Sequence, residues 1–184
     1  MPRFLGCDPG LSGGLAVIDD GGNRPRLLAV IDIPTIGEAA KRRVDVLGVM
    51  RFLQRWEPDQ AAIERAGAMP KQGVASTFNY GRAVGALEAC LTGSQIPLTI
   101  IEPRAWKAAL GLLGQDKEGS RQRALALYPE GHAALARKKD HNRSEAILIA
   151  HFGAMQARGE LPRRPVGIAG KTRKPVAIDA AADL

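Results

Sequence analysis

Four acidic residues, scattered along the chain, have the types and settings expected of ligands for a divalent metal ion. Asp8 stands between an apolar run and the glycine-rich stretch PGLSGG, and Glu64 ends a second apolar run. Asp140 and Glu145 lie together in KKDHNRSEAILIAH. A buried carboxylate without a partner costs several kcal/mol or more. Each of these residues therefore requires a cation, N–H groups or a metal ion beside it.

The expected secondary structure brings the four residues to one edge of a sheet. Asp8 ends the first predicted strand and Glu64 the fourth, and if those strands are neighbours both side chains leave the same edge, where ligand sites of α/β sheets gather. Asp140 and Glu145 would be about 140° apart on an ideal helix. We therefore place Asp140 just before a helix and Glu145 in its first turns, so that each points back toward the sheet.

The chemistry that this set predicts is hydrolysis of a phosphodiester assisted by metal ions. Converging carboxylates do not all stay ionised without a counter-charge, and Mg²⁺ or Mn²⁺ accepts such oxygen ligands. Two ions about 4 Å apart activate a water and stabilise the leaving oxygen. The spacing leaves alternatives open: Asp8 as a turn former, Glu64 paired with Arg65 or Arg82, and Asp140 as a helix N-cap only.

The elements that must position these residues form an α/β domain. Three apolar segments joined by short turns predict antiparallel strands, and later strands joined by helical crossovers should run parallel. The fold class is thus a mixed five-stranded sheet flanked by helices. The predicted strands cover residues 3–7, 15–19, 27–33, 61–63 and 98–101, and the principal helices cover 73–91, 117–128 and 144–156.

Composition indicates one globular domain with a polyanionic partner. The 184 residues are 45% hydrophobic, which suits a single core over residues 1–158, and the segment 159–184 reads as a basic, flexible tail. The net charge of +7 favours nucleic acid, although many soluble proteins are mildly basic. Cys7 and Cys90 are expected to be packed thiols in a reducing cytosol. No apolar run approaches the roughly 18 residues of a membrane span.

Four sequence blocks resemble the RuvC-type Holliday junction resolvases of the RNase H-like superfamily. The blocks are FLGCDPGLSGGLAVID, AAIERAGAMPKQGVASTFNYG, IEPRAWKAAL and KKDHNRSEAILIAHFG. The last is most similar to the phage-borne and plant-organellar branch, which has a K-K-D-H-x-R-x-E-A pattern. The resemblance implies an RNase H-like fold, a homodimer, and Asp8, Glu64, Asp140 and Glu145 as catalytic, metal-binding carboxylates.

The fourth ligand is the point at which the sequence departs from the common bacterial pattern. Those enzymes carry two acidic residues three apart on the last helix, whereas Asn142 stands three positions before Glu145 here. Asp140 is our choice for this ligand, and His141, one helical turn before Glu145, is the rival.

Residues for DNA binding and dimer formation are expected around the acidic edge. Phe78 could wedge into the crossover point with support from Tyr80, although both rings could instead belong to the core. The small-residue row Gly81, Gly85 and Ala89 suits close helix packing, either between two subunits or within one. The remaining candidate DNA contacts are Lys71, Gln72, Lys107, Lys117, Arg121, Lys138, Lys139 and Arg143.

The function predicted from these features is an endonuclease that resolves four-way DNA junctions. It is expected to act as a homodimer that makes paired nicks, with two Mg²⁺ (or Mn²⁺) ions per active site, no nucleotide cofactor and no membrane partner. We expect a cytoplasmic protein, bacterial or phage-encoded. The alternatives are a nuclease for RNA or RNA–DNA hybrids, a non-catalytic junction-binding module, and a phosphate loop of the sugar kinase and actin-like superfamily.

Overall fold

One mixed sheet forms the centre of the molecule. The computed structural model describes residues 1–21, 24–65, 67 and 73–161. The sheet strands are β1 (Arg3–Asp8), β2 (Gly14–Asp19), β3 (Arg26–Asp32), β6 (Gln60–Glu64) and β7 (Leu98–Ile101), and β4 (Thr35–Ile36) pairs with β5 (Arg43–Val44) in a separate hairpin. The sheet order is β3-β2-β1-β6-β7. Strands β1 to β3 are antiparallel, and β6 and β7 run parallel to β1, which confirms the predicted fold class.

Helices cover both faces of this sheet. They are α1 (Val46–Trp56), α2 (Val74–Gly93), α3 (Pro103–Ala109), α4 (Lys117–Leu127) and α5 (His141–Ala157). Side chains of α1 and α2 pack on one face and those of α3, α4 and α5 on the other. Along β1 the side chains alternate between these two cores, Phe4 on one side and Leu5 on the other, as the period of a strand requires.

Helix α5 lies directly against the strands that lead to the acidic edge. A Cβ at Gly6 in β1 would overlap the backbone of Ala146 and Ala150 in α5. At the start of β2, a Cβ at Gly14 would lie 2.8 Å from the carbonyl oxygen of Asn142. The absence of side chains at these glycines therefore lets the helix approach within backbone distance and fixes its position over the sheet.

Two local features differ from the sequence predictions. Helix α5 begins at His141 rather than at residue 144, because a 3-10 turn (Lys138–Asp140) leads straight into it. The β4–β5 hairpin was not predicted, since its strands are only two residues long. Cys7 and Cys90 are buried free thiols, as expected. Among the described helices, none is long and apolar enough to cross a membrane.

Candidate active site

The carboxyl ends of β1 and β6 place Asp8 and Glu64 at the same edge of the sheet. These strands are parallel neighbours, with Cys7 opposite Ile63 in the register. Glu145 comes from the first turns of α5, which crosses the sheet beside β1. Three of the four predicted carboxylates therefore come from elements that pack against one another at this edge.

A cavity of about 440 Å³ opens at this edge. Asp8 and Glu145 line it together with residues 9–13, which form the glycine-rich turn. The rest of its lining includes Ser76, Asn79, Tyr80, Lys117 and Asn142. A DNA strand or a hydrated metal ion could reach Asp8 and Glu145 through this opening.

The carboxylates at this edge lie close enough to repel one another, and this repulsion changes the pKa of Asp8. Burial raises the pKa of Asp8 well above its ordinary value, and the negative charges of Glu145 and Glu64 raise it further, against smaller opposing effects of Lys107 and Lys117. Throughout the described ranges, no group donates a hydrogen bond to the Asp8 carboxylate. Asp8 is thus a partly buried carboxylate with like charges beside it, and a cation would relieve that cost.

Glu64 is held by a hydrogen bond from the core. The indole Nε1 of fully buried Trp106 lies 2.6 Å from Glu64 Oε2. Burial raises the pKa of Glu64, and the Trp106 hydrogen bond and Lys107 partly reverse that rise. Neither predicted alternative partner contacts Glu64, since Arg65 pairs with Glu102 and Arg82 reaches the carbonyl oxygen of Arg42.

Two lysines and a serine border the carboxylates. Lys107 Nζ lies 3.7 Å from Glu145 Oε1 and 5.1 Å from the centre of the Trp106 ring. Ser120 Oγ lies 3.5 Å from the same Glu145 oxygen. Lys117 Nζ lies 3.0 Å from His141 Nε2. Since an ammonium group only donates, Nε2 accepts this bond, which leaves the proton of a neutral ring on Nδ1.

The structure places Asp140 in a different set of contacts. Its carboxylate accepts hydrogen bonds from the backbone N–H of Arg137, 2.9 Å away, and from the Arg137 guanidinium at 2.7 Å. Arg143 bridges the same carboxylate, at 3.9 Å, and Asp32 at the end of β3, at 2.6 Å. The Arg137 guanidinium holds the pKa of Asp140 below its ordinary value. Asp140 therefore helps to fix the start of α5, with its charge already balanced.

The donor set fits a hard divalent cation, although the side chains are not arranged as a closed cage. Across the part of the chain that the structure describes, no three His, Cys, Asp or Glu side chains are close enough to form a complete metal site. The oxygens of Asp8, Glu64 and Glu145 are nevertheless the ligand type that Mg²⁺ and Mn²⁺ use, often with several waters retained. The repulsion at Asp8 is consistent with such an ion.

The predicted DNA contacts divide into free and occupied side chains. Phe78 is 66% exposed and so does not belong to the core, whereas Tyr80 is half-buried and its ring packs against Gly10 beside the cavity. Lys138 and Lys139 are exposed. Two arginines have protein partners, Arg121 with Glu118 and Leu135 and Arg143 with Asp32. Lys71 and Gln72 lie outside the described residues, as does the predicted tail from 162 onward.

The small-residue row of α2 is open to solvent in this single chain. Gly81, Gly85 and Ala89 are all exposed, and a Cβ at either glycine would meet no atom within 4 Å. Close packing inside the described subunit therefore does not explain the row.

Sequence reasoning missed three contacts at the site. It did not foresee that the buried ring of Trp106 donates a hydrogen bond to Glu64. It treated Asn142 only as a departure from a pattern, yet Asn142 lines the cavity and its amide donates to the carbonyl oxygen of Ser12. Ser120 was not considered. All three depend on tertiary contacts that carry no signal in local spacing.

Comparisons with known proteins agree with this geometry. The family model of RuvC, crossover junction endodeoxyribonuclease, matches residues 4–127. RuvC of Petrotoga mobilis is 30% identical over 128 residues, which are 67% of this chain and 77% of that protein. The chloroplastic Holliday junction resolvase MOC1 of Chlamydomonas reinhardtii is 33% identical over 100 residues, 53% of this chain but only 11% of that protein.

The solved structure of Thermus thermophilus RuvC in complex with a Holliday junction substrate has the same fold. It aligns with a TM-score of 0.65 at 23% identity, over 86% of this chain and 96% of that one. The fold is therefore RNase H-like, as the resemblance implied. The chain belongs to the RuvC family of crossover junction endodeoxyribonucleases.

Proposed function

We propose that this chain resolves four-way DNA junctions by metal-dependent hydrolysis of phosphodiester bonds. The observation that carries the proposal is the shared cavity of Asp8 and Glu145, with Glu64 beside it at the sheet edge. The Thermus relative was solved with a Holliday junction, which supports branched DNA as the substrate. The exposed ring of Phe78 supplies an apolar group for stacking on bases at the branch point.

Asp8, Glu64 and Glu145 are the proposed metal ligands. Two Mg²⁺ ions bound there would supply the Lewis-acid chemistry of phosphodiester hydrolysis. We assign Asp140 to positioning of α5, since Arg137 already occupies its carboxylate. His141 remains the rival for a fourth donor, and to bind an ion its Nε2 would have to exchange the bond from the cavity residue Lys117 for the metal.

The other side chains of the site orient these ligands and attract the substrate. Trp106 fixes one oxygen of Glu64 and leaves the other for a cation. Lys107 and Lys117 lower the negative potential at the carboxylates, and their ammonium groups attract DNA phosphates into a site that would otherwise repel them. Tyr80 and the glycine-rich turn line the cavity next to Asp8.

The proposed assembly is a homodimer that makes paired nicks. Two symmetric cuts require two sites related by a two-fold axis, and the exposed row Gly81, Gly85 and Ala89 offers α2 as the surface for close helix packing. Bacterial relatives favour a cytoplasmic or nucleoid location, and the chloroplastic relative keeps an organellar one open.

A cleavage assay on three substrates tests the function. The substrates are a synthetic four-way junction, the plain duplex of one arm and an RNA–DNA hybrid, each incubated with Mg²⁺ or with a chelator. We expect Mg²⁺-dependent nicks in the junction only, and loss of nicking but not of junction binding in Asp8→Asn. Equal cleavage of all three substrates would contradict a resolvase, and binding without any nicking would indicate a non-catalytic module.

A further inference from the structure

A second, smaller groove continues from the candidate active site. It lies between the β4–β5 hairpin and α2 and has a volume of about 190 Å³. Leu11 and Asn79 line both this groove and the cavity that contains Asp8, so the two openings are contiguous. We call it the hairpin groove; Arg43 and Arg82 stand on its sides, and Val44 and Ala83 contribute apolar lining.

The charge of the hairpin groove is uncompensated. Arg43 and Arg82 are exposed, and no acidic residue lines the groove. Within the described ranges, neither guanidinium has a carboxylate partner, in contrast to Arg121 and Arg143. Arg82 Nη2 lies 3.5 Å from the carbonyl oxygen of Arg42, which draws its guanidinium toward the hairpin. Two guanidinium groups without a carboxylate partner beside a small opening suit an oxyanion such as phosphate, although most of the other lining residues are apolar.

Arg42 connects the β4–β5 hairpin to the glycine-rich turn that follows Asp8. Its Nη2 donates a 2.7 Å hydrogen bond to the carbonyl oxygen of Leu11, and its Nε lies 3.1 Å from Thr35 Oγ1. Leu11 belongs to the turn that follows Asp8. The position of the hairpin groove relative to the carboxylates is therefore set by a direct hydrogen bond.

We propose that the hairpin groove binds a backbone phosphate of the same DNA strand that enters the active site, through Arg43 and Arg82. The proposal rests on the proposed nuclease function and names a substrate contact for it. A volume of about 190 Å³ is below the roughly 300 Å³ typical of a pocket for a drug-sized ligand, but a phosphate group needs far less. The contiguity through Leu11 and Asn79 gives a strand a continuous path from one site to the other.

The test measures how junction affinity depends on salt. Arg43→Gln, Arg82→Gln and the double variant are made in the Asp8→Asn background, which we expect to bind the junction without cutting it. We expect the double substitution to reduce the slope of log affinity against log salt by about 0.9, the value for one phosphate, and each single substitution to reduce it by less, equally for two junctions of different sequence. The control is Arg104→Gln, which removes an exposed arginine that lines another cavity, beside Phe152 and Gln156.

Two further measurements distinguish a phosphate contact from a contact with a second subunit: the salt slope of charge-retaining variants and the molecular mass in solution. Arg43→Lys and Arg82→Lys should keep most of the slope, because a phosphate contact needs the charge. A salt slope in the Gln variants equal to that of Arg104→Gln would overturn the proposal. A molecular mass that differs between the Gln variants and the parent protein in light scattering would also overturn it, since the groove would then contact a second subunit. The nuclease proposal fails separately, if the chain with Asp8 intact does not nick the junction while the salt slopes still differ.

Discussion

Trp106 and Glu64 connect the hydrophobic core to the candidate metal site through a 2.6 Å hydrogen bond between the indole Nε1 and Oε2. The donor is fully buried in the core and the acceptor stands at the carboxyl end of a strand. A carboxylate held in this way has one oxygen fixed and the other available, so its orientation toward a cation is set before the cation arrives.

Trp106→Phe should therefore weaken metal binding as well as the fold. We expect a loss of about 1–3 kcal/mol in the free energy of unfolding, because a partly buried carboxylate loses its donor. The pKa of Glu64 should rise further, so half-maximal nicking should need more Mg²⁺, most clearly at low pH. Tyr128→Phe is the matched control: it removes another buried hydrogen bond, to His151, and should cost stability of about 1 kcal/mol without changing the Mg²⁺ requirement.

Asp8→Asn should stabilise the metal-free protein at neutral pH. Because the pKa of Asp8 is raised in the folded state, the native protein binds the proton more tightly than the unfolded chain. The stability that this group contributes is present at low pH and is lost as the pH rises from the ordinary aspartate range through the raised pKa. Thermal unfolding of the unmodified protein and of Asp8→Asn, in a chelator and across this pH range, measures the effect as the difference between their melting temperatures. An equal pH dependence in both would contradict the burial of a repelled carboxylate.

Asp140→Asn should behave as a positioning variant. The Arg137 bond lowers the pKa of Asp140, so its stabilising effect is present above the ordinary aspartate range and lost as the pH falls through the lowered pKa. We expect a lower melting temperature at neutral pH and a nicking rate reduced by roughly 10- to 100-fold, as for residues that orient ligands. Complete loss of nicking in a folded Asp140→Asn protein, with full activity in His141→Ala, would instead make Asp140 the fourth ligand.

Gly85→Leu should separate the subunits without harming the fold. The position is exposed and leucine favours a helix by up to about 1 kcal/mol over glycine, so thermal stability of the monomer should not fall. If α2 packs against its counterpart, the added side chain blocks close approach. Light scattering over a dilution series measures the loss of dimer, and Gln54→Leu, an exposed position on α1, is the control for added apolar surface.

Phe78→Ala should reduce the affinity for branched DNA more than it reduces the stability of the fold or the affinity for duplex DNA. Because the ring is 66% exposed, its loss should change the free energy of unfolding by less than about 0.5 kcal/mol. Stacking on a base contributes about 1–3 kcal/mol, so junction affinity should drop while affinity for a plain duplex stays unchanged. Val74→Ala, at a position that is 87% exposed on the same helix, controls for lost apolar surface. An equal loss for both substrates would argue against insertion at the branch point.

The sequence was sufficient to predict the framework of the site because strand ends are visible in it. Asp8 and Glu64 each end an apolar run, and parallel strands joined by helical crossovers bring such ends to one edge. For Phe78 the sequence left both an exposed and a core position open, and the structure shows the exposed one. These predictions depend on periodicity, which burial imposes on the residues of each element.

Other parts of the site depend on competition between contacts, which spacing does not show. Arg137 pairs with Asp140 just before α5, whereas Glu145 in the first turns of α5 contacts Lys107 and Ser120 at the acidic edge. The β4–β5 hairpin has too few residues for a strand pattern, and it is shaped by Gly37, at φ +78°. A hydrogen bond from Arg42 to the carbonyl oxygen of Leu11 helps to hold the hairpin beside the glycine-rich turn.

The dependence of the acidic edge on α5 also has a consequence during translation. Every other described strand and helix leaves the ribosome before the segment that contains Glu145. Until then, the backbone surfaces at Gly6 and Gly14 have no helix to cover them. A nascent or truncated chain that ends before α5 therefore lacks Glu145, one of the three proposed metal ligands, and we expect it to be unable to nick DNA.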